Sequence, residues 1–291
     1  MGKASKRRHT PEARTESAPF VARPFEGLPS ETEWVALREL LPAATAPIAF
    51  APGRTPDGAP ATATVATVLP LAWPALHRNG GEVFIATQSG ASSGDASRDL
   101  AAAWLLAATV EEGVPVTMVP TPTAGSPRLQ DLLDPDVHFE VTLHDGFQFW
   151  VGDVDLDTEG QESLDRANES VVPTARVDGV TSAYWCVING RRYVRWVLPH
   201  DEDVATDALA RITAADESPL VEGSRLLGAF RTSGLIVPVW EVPEDRGAAD
   251  FGEPIVAMGR RIEAAVARTE GLTPGERRAK AGLLNRQVTL R

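Results

Sequence analysis

Apolar residues recur at helical spacing in several stretches of the chain, and the residues beside these stretches are ones that begin or end helices. The first stretch covers residues 31–41, with Ser30 ahead of it as a candidate N-cap and Pro42 behind it as a helix breaker. The same period predicts further helices over residues 95–110, 159–170, 201–215, 254–269 and 273–284.

Short apolar runs between the predicted helices are separated by turn residues, which indicates strands joined as antiparallel hairpins. The turn sequences are Asn79-Gly80-Gly81, Asp145-Gly146, Asn189-Gly190 and Ser233-Gly234. The predicted strands are residues 47–50, 62–69, 73–76, 82–87, 114–119, 137–143, 147–151, 183–188, 191–198, 224–231 and 235–242.

The second half of the chain repeats the order of elements in the first half. Each half begins with a helix that ends before a proline, continues through strands to a second helix, and closes with a hairpin. Trp185 corresponds in this order to Trp73, and Trp240 to Trp150. The repetition favours an internal duplication. Coincidence of pattern is the alternative.

The duplication predicts the layout of the whole chain. We expect an α+β fold in which two tandem α-β-β-β-α-β-β repeats form one compact pseudo-twofold body with antiparallel sheets. The repeats cover residues 28–152 and 153–245, and C-terminal helices with a basic end cover residues 246–291. Residues 1–27 are rich in Lys, Arg, Pro, Glu and Ser, which predicts a disordered basic tail.

Charge is distributed unevenly along the chain. Residues 1–14 and residues 274–291 each carry a net charge of +4, and because the whole chain carries −12, the remaining residues carry −20. An acidic body repels nucleic acid, so weak binding to RNA or ribosomes would have to run through the basic ends and fall with salt. The N-terminal candidates for such contacts are Lys3, Lys6, Arg7 and Arg8.

The C-terminal end has a second interpretation. Its arginines can dock on the acidic body, with the apolar alternation of Val288 and Leu290 adding an edge strand. This interpretation is favoured, because apolar residues that alternate along a strand have no reason to remain solvated.

Cysteine content and the N-terminal pattern indicate a cytoplasmic protein. The single cysteine, Cys186, excludes an internal disulfide and a cysteine-built zinc or iron-sulfur site. No apolar core follows the basic N-terminal residues, so no export signal is predicted. The longest uncharged stretch, residues 59–76, carries three prolines and is no membrane-spanning helix.

One catalytic motif is present, between a predicted strand and a predicted helix. Residues 90–94 fit G-x-S-x-G, a pattern in which a sharp turn exposes a serine nucleophile, here Ser92. Such a turn normally belongs to a parallel sheet, whereas the hairpin signals predict antiparallel strands. An ordinary loop ahead of an N-cap at Asp95 is therefore the favoured interpretation. The candidate bases are His138, His144 and His200.

No metal or cofactor is predicted. The acids that follow His200 stand at a helix start, where they satisfy the positive end of the helix and point in different directions. Asp153, Asp155 and Asp157 imitate a calcium loop, which fails because Leu164 occupies the glutamate position. The chain has no phosphate-binding glycine loop and no H-x-x-x-H pair.

The strand over residues 191–198 alternates between two kinds of side chain. Arg191, Tyr193 and Arg195 share one face, and a basic aromatic stripe on an open sheet can stack on and neutralise single-stranded nucleic acid. A solvated face whose arginines pair with the abundant acids is the favoured alternative.

Several strings in the chain resemble a known family. They are EWVALRELLPAATAP, RLQDLLDP, YWCVINGRRYVRWVLPHDED, LIVPVW and NRQVTLR. They resemble the actinobacterial domain-of-unknown-function family numbered 5926, from about Glu31 to Arg291. The resemblance implies no activity. Some members carry an N-terminal SEC-C zinc motif, and this chain has a basic segment without cysteine in its place.

These observations favour a non-enzymatic intracellular protein that holds a protein partner in a groove between the repeats or at its basic ends. The first alternative is a serine hydrolase that uses Ser92. The second is a weak RNA or ribosome binder that uses the termini. No membrane role is expected.

Overall fold

The computed structural model describes residues 17–90, 92–152 and 155–285. We call residues 17–152 the first half and residues 155–285 the second half. The helices are α1 (Glu31–Glu39), α2 (Ala96–Ala107), α3 (Leu129–Leu132), α4 (Thr158–Asn168), α5 (Glu202–Ala214), α6 (Gly252–Val266) and α7 (Pro274–Asn285). The strands are β1 (Ala44–Ala49), β2 (Thr62–Ala66), β3 (Ala75–His77), β4 (Val83–Ala86), β5 (Pro115–Val116), β6 (Thr142–Leu143), β7 (Thr174–Arg176), β8 (Ala183–Ile188), β9 (Arg191–Trp196), β10 (Arg225–Thr232) and β11 (Leu235–Val242).

The strands form one sheet in each half. The first sheet has the order β5-β3-β4-β2-β1-β6, and the second has the order β10-β11-β9-β8-β7. Every pairing is antiparallel except that of β2 with β4. The α+β fold with antiparallel-rich sheets and C-terminal helices is therefore confirmed. No helix in the described ranges has both the length and the apolar character needed to cross a membrane.

Each sheet contains a hairpin that is followed by a helix: β3 and β4 precede α2, and β8 and β9 precede α5. The strands that come after the helix pair with these hairpins differently in the two halves. In the first half β5, which follows α2, pairs with the first hairpin arm, β3. In the second half the hairpin of β10 and β11 follows α5, and its second strand, β11, pairs with the second arm, β9. The internal duplication stays a prediction.

The predicted strand over residues 147–151 is wrong. Gln148–Trp150 form a single 3₁₀ turn, and the Trp150 indole donates a hydrogen bond to Val68 O at 2.9 Å. Phe147 stacks on Trp150 with ring centroids 4.3 Å apart. This aromatic cluster packs beneath α4 and overrides the alternating pattern, so Trp150 lies in a turn, whereas Trp240 lies in β11.

The first N-terminal cap also differs from the expectation. Ser30 does stand at the N-cap of α1, but its side chain makes no capping hydrogen bond, and its φ of 56° is left-handed. The helix begins because its buried face, which includes Trp34, Val35 and Leu37, packs into the core.

Residues 17–28 form a strap that crosses the surface of the body. Ala18 N donates to Pro122 O at 3.1 Å, and Val21 N donates to Gly94 O at 2.9 Å. Phe25 is fully buried and stacks on Trp34. The disordered tail predicted for residues 1–27 is therefore corrected for residues 17–27, because a few buried side chains anchor a segment whose average composition is polar. Residues 1–16 lie outside the described part.

One core joins the two halves. It contains Trp34 of α1, which stacks on Phe139 with ring centroids 4.0 Å apart, and it continues into Tyr184 and Val237 of the second sheet. A second core lies between the second sheet and helices α5 and α6, around Trp240. The shared core means that neither half buries its apolar surface alone.

A buried carboxylate, that of Glu33, links the halves through hydrogen bonds. Arg176 donates to both of its oxygens, at 2.9 and 3.2 Å, and Tyr184 donates to Oε2 at 2.7 Å. The Ser182 hydroxyl donates to Oε1 at 2.8 Å and lies equally close to Thr32 Oγ1. Burial by itself raises the pKa of Glu33, but the hydrogen bonds from Arg176, Tyr184 and Ser182 outweigh it, so the pKa lies below its ordinary value.

The basic C-terminal helix α7 docks on the body. Lys280 Nζ lies 2.6 Å from Asp207 Oδ1 of α5. The predicted capping box is present, since Thr273 N donates to Glu276 Oε2 at 2.7 Å and Glu276 N donates to Thr273 Oγ1 at 3.3 Å. The predicted edge strand with Val288 and Leu290 lies outside the described residues.

Replacing Glu33 by alanine should lower the free energy of unfolding by about 3 kcal/mol, because Arg176, Ser182 and Tyr184 then lose a common acceptor. Urea denaturation followed by tryptophan fluorescence measures the change. Arg225→Ala removes an exposed ion pair with Glu241 and serves as control, with a loss of at most about 1 kcal/mol. Equal losses in the two variants would contradict the role given to Glu33.

Stability should also depend on pH through this carboxylate. The pKa of Glu33 in the folded state lies below its ordinary value of 4.5, so its contribution is complete above that value and is lost as the pH falls through the folded pKa. The difference in unfolding free energy between the natural protein and Glu33→Gln should therefore shrink on acidification. A difference that stays constant from neutral pH to about pH 3 would show that the carboxylate does not titrate as described.

Candidate functional site

One edge of the first sheet collects the ends of several strands. β2 and β4 are parallel, with Ala66 opposite Ala86. β3 is antiparallel to both β4 and β5, so β5 runs in the same direction as β4. The residues that follow β2, β4 and β5, and those that precede β3, therefore meet at one edge. We call this region, residues 67–74, 87–90, 92–95 and 117–123, the Ser92 edge. The carboxyl ends of parallel strands are the usual place for a binding crevice.

A buried carboxylate fixes the start of α2 at this edge. Asp95 is fully buried and caps the helix, accepting hydrogen bonds from Ser97 N at 3.1 Å and Arg98 N at 3.4 Å. It is paired with Arg98, and Arg128 Nε lies 3.2 Å from its Oδ2. Arg98 Nε in turn donates to Ser126 O at 3.0 Å. The two arginines compensate the buried charge and hold the neighbouring loop in place.

The loop between β4 and α2 places Ser92 on the surface. The Ser92 hydroxyl is exposed and accepts a hydrogen bond from Gly94 N at 3.4 Å. Ser93 N donates to both carboxylate oxygens of Asp99, at 3.1 Å each. Gly94 has a φ of 96°, which favours glycine, and Phe20 of the strap packs beside it. The chain thus bends at Gly94, directly ahead of α2.

A polar cleft of about 410 Å³ opens beside Ser92. Arg38 forms one wall, where its Nη1 donates to Thr87 O at 2.8 Å and its Nε donates to Glu39 Oε1 at 3.1 Å. Gln88 Nε2 donates to Arg38 O at 2.8 Å and closes this wall. Asp99 also lines this cleft, and it lines a smaller cavity of about 50 Å³ that reaches Val119 and residues 120–122.

The structure does not bring the candidate base His200 to Ser92. His200 Nε2 lies 2.8 Å from Glu263 Oε1 of α6. His144 Nε2 lies 2.8 Å from Thr45 Oγ1, and burial lowers the pKa of this imidazole despite the nearby Asp145. His138 borders a separate groove near Glu33. Within the described ranges the Ser92 hydroxyl therefore has a backbone partner and no hydrogen bond to a histidine.

The proposed nucleic-acid stripe on β9 is largely covered. Arg191 is exposed and pairs with Glu241 at 3.3 Å. Tyr193 and Arg195 are buried, and Arg195 Nη2 donates to Leu40 O at 3.0 Å. The stripe is corrected accordingly, because the end of α1 covers Arg195 and apolar residues of the second half pack around Tyr193. Lys3, Lys6, Arg7 and Arg8 lie outside the described residues.

A second groove, of about 380 Å³, lies between the halves. It is bordered by Glu33, Arg176, His138 and Glu140. Both carboxylate oxygens of Glu33 accept hydrogen bonds there, so the ion pair of Glu33 with Arg176 at this groove is a structural one. In the part of the chain that the structure describes, no group of three or more His, Cys, Asp or Glu side chains could hold a metal ion.

The sequence analysis did not predict three exposed apolar residues at the Ser92 edge, which we call the apolar rim. Phe20, Leu71 and Met118 are 79%, 86% and 80% exposed. Phe20 contacts Gly94, Leu71 lies in the turn that precedes β3, and Met118 lies two residues beyond the end of β5. The prolines that flank Leu71 signal a loop, but only the sheet topology brings the three residues to one edge.

Comparison with known proteins gives one match. A family model matches residues 24–291, which include all of the Ser92 edge and exclude most of the strap. No curated protein and no solved structure matches the chain.

The geometry of Ser92 leads to a direct test of the hydrolase alternative. We expect a fluorophosphonate probe to leave the purified full chain unlabelled, because no histidine of the described residues hydrogen-bonds to the Ser92 hydroxyl. In-gel fluorescence and mass spectrometry measure labelling, with Ser92→Ala as the matched control. Labelling of the natural protein that disappears in Ser92→Ala would show a reactive serine and contradict this expectation.

Proposed function

Because the chain belongs to the family of unknown function DUF5926, its activity has to be inferred from its site, and we propose that it is a non-enzymatic protein that holds a protein partner at the Ser92 edge. The proposal includes a cytoplasmic location, which the single buried cysteine, Cys186, supports because nothing in the sequence requires an oxidising compartment.

The exposed apolar rim carries the proposal. Phe20, Leu71 and Met118 are each about four-fifths exposed, whereas the other large exposed apolar side chains of the described residues are close to two-fifths exposed. Exposed apolar side chains gathered at one place are typical of protein-binding surfaces, while scattered ones need no explanation. A polar cleft at the same edge as these apolar side chains also offers both the apolar contacts and the oriented hydrogen bonds of an interface.

The backbone at Leu71 supports the same interpretation. Leu71 and Ala72 have φ values of 53° and 56°, which non-glycine residues rarely adopt. Hydrogen bonds from Ala72 N to Leu69 O and from Trp73 N to Pro70 O, both 3.0 Å, hold the turn. Such conformations cost about 1–3 kcal/mol each and cluster at binding sites. Here the strained turn displays a leucine to solvent.

Two alternatives have weaker support. Hydrolysis lacks a histidine hydrogen-bonded to Ser92 among the described residues, and RNA binding loses the β9 stripe because Tyr193 and Arg195 are buried. In α7 the positive charge of Lys280 is already compensated by Asp207. A role of residues 1–14 in RNA binding stays a prediction.

The test is a double variant at the rim. Leu71→Ser with Met118→Ser should abolish retention of the native partner by the full chain immobilised through a carboxyl-terminal tag, because both apolar anchors are lost. Val204→Ser, at a residue of α5 that is 40% exposed and away from the edge, is the matched control. Mass spectrometry of retained proteins identifies the partner, and titration of the purified pair should show affinity reduced by at least about tenfold in the double variant alone.

A loss of binding in this experiment can be told apart from a loss of folding. All three substituted side chains are exposed, so the urea midpoint should stay the same and a folding defect is separable from a binding defect. Partners that bind the natural protein and both variants alike would overturn the Ser92 edge as the binding surface.

A further inference from the structure

Among the described residues, one carboxylate of the cleft at the Ser92 edge has no cationic partner. Arg38 and Glu39 form an ion pair at 3.1 Å and compensate each other. Asp99 accepts hydrogen bonds from the Ser93 backbone, and among the described residues no lysine, arginine or histidine lies within ion-pair distance of it. The fully buried carboxylate at this edge, that of Asp95, has two arginines. Asp99 is therefore the charge that remains open to a ligand.

Asp99 also has a central position. It lines both the larger cleft, together with Arg38, and the smaller cavity, together with Val119. Asp99 thus borders both cavities, at the same edge of the sheet as the exposed Leu71 and Met118. Partial burial weakens screening by solvent and salt, so a cation placed there gains more than it would at an open surface.

We propose that the Ser92 edge recognises a polypeptide segment in which a lysine or arginine, bound by Asp99, is flanked by apolar side chains that pack on Leu71 and Met118. The inference rests on the proposed function and names the chemistry of the partner. The acidic body, with its charge of −20 outside the two ends, favours the approach of such a basic segment over long range.

A free metal ion or a small amine fits the site less well than a polypeptide. A single carboxylate without further ligands is a poor metal site, and a small amine leaves the apolar rim uncovered. A peptide that crosses the edge covers the rim and delivers its cation to Asp99 at the same time.

The experiment selects binding peptides from a random library, so the natural partner need not be identified first. A displayed library of random twelve-residue peptides is enriched on the full-length natural protein, and the affinities of the enriched peptides are measured for it, for Asp99→Asn and for Glu112→Gln. In Asp99→Asn the amide oxygen still accepts the hydrogen bond from Ser93 N, so the loop keeps its shape. Glu112 is the matched control, because it also accepts a backbone hydrogen bond, from Gly80 N at 2.9 Å, but at the opposite end of the sheet.

We expect enriched peptides to carry a lysine or arginine next to apolar residues, and their affinity to fall about tenfold in Asp99→Asn and to stay the same in Glu112→Gln. The loss should also be smaller at high salt. Peptides that bind Asp99→Asn as tightly as the natural protein, or enrichment without a basic residue, would overturn the inference. If the peptides that bind Asp99→Asn normally lose affinity in the Leu71→Ser, Met118→Ser variant, the proposed function stands and only the role of Asp99 is overturned. If that double variant also binds them normally, the proposed function and the role of Asp99 are both overturned.

Discussion

The buried carboxylate of Glu33 is the interaction on which the arrangement of the two halves depends. It belongs to α1 of the first half, and its partners Arg176, Ser182 and Tyr184 all belong to the second half. A charge removed from water needs its full set of donors, so any separation of the halves leaves it uncompensated. The same helix carries Arg38 at its other end, where the side chain binds Thr87 O. One helix therefore joins the contact between the halves to the wall of the cleft.

The helices and the tight hairpins could be predicted from the sequence because their signals are local. The apolar period locates α2 and α5, and Asn189-Gly190 locates the turn between β8 and β9, where both residues have positive φ. The predictions failed where long-range packing decides the outcome. The strand expected at Trp150 is a turn because aromatic rings pack there, and the strap is ordered because Phe25 enters a core formed by distant residues.

The candidate site was only partly predictable for the same reason. G-x-S-x-G identified the loop of Ser92, since a sharp turn ahead of a helix is a local feature. The parallel pairing of β2 with β4 is a property of the whole sheet, and it is this pairing that brings Leu71, Met118 and Asp99 to one edge. In the sequence Asp99 is one of many acidic residues, and it stands in the first turn of a helix, where such residues are common. Only the structure shows that no lysine, arginine or histidine of the described residues lies within ion-pair distance of its carboxylate.

The strap has a consequence for anything joined to its beginning. Ser17 pairs with Thr123, so the beginning of the strap lies at the Ser92 edge. A segment tethered at such a short distance has an effective concentration at the cleft on the order of millimolar. A weak binding sequence placed there would compete with a free partner that is present at micromolar concentration, and its removal would raise the apparent affinity of that partner without any change in the cleft.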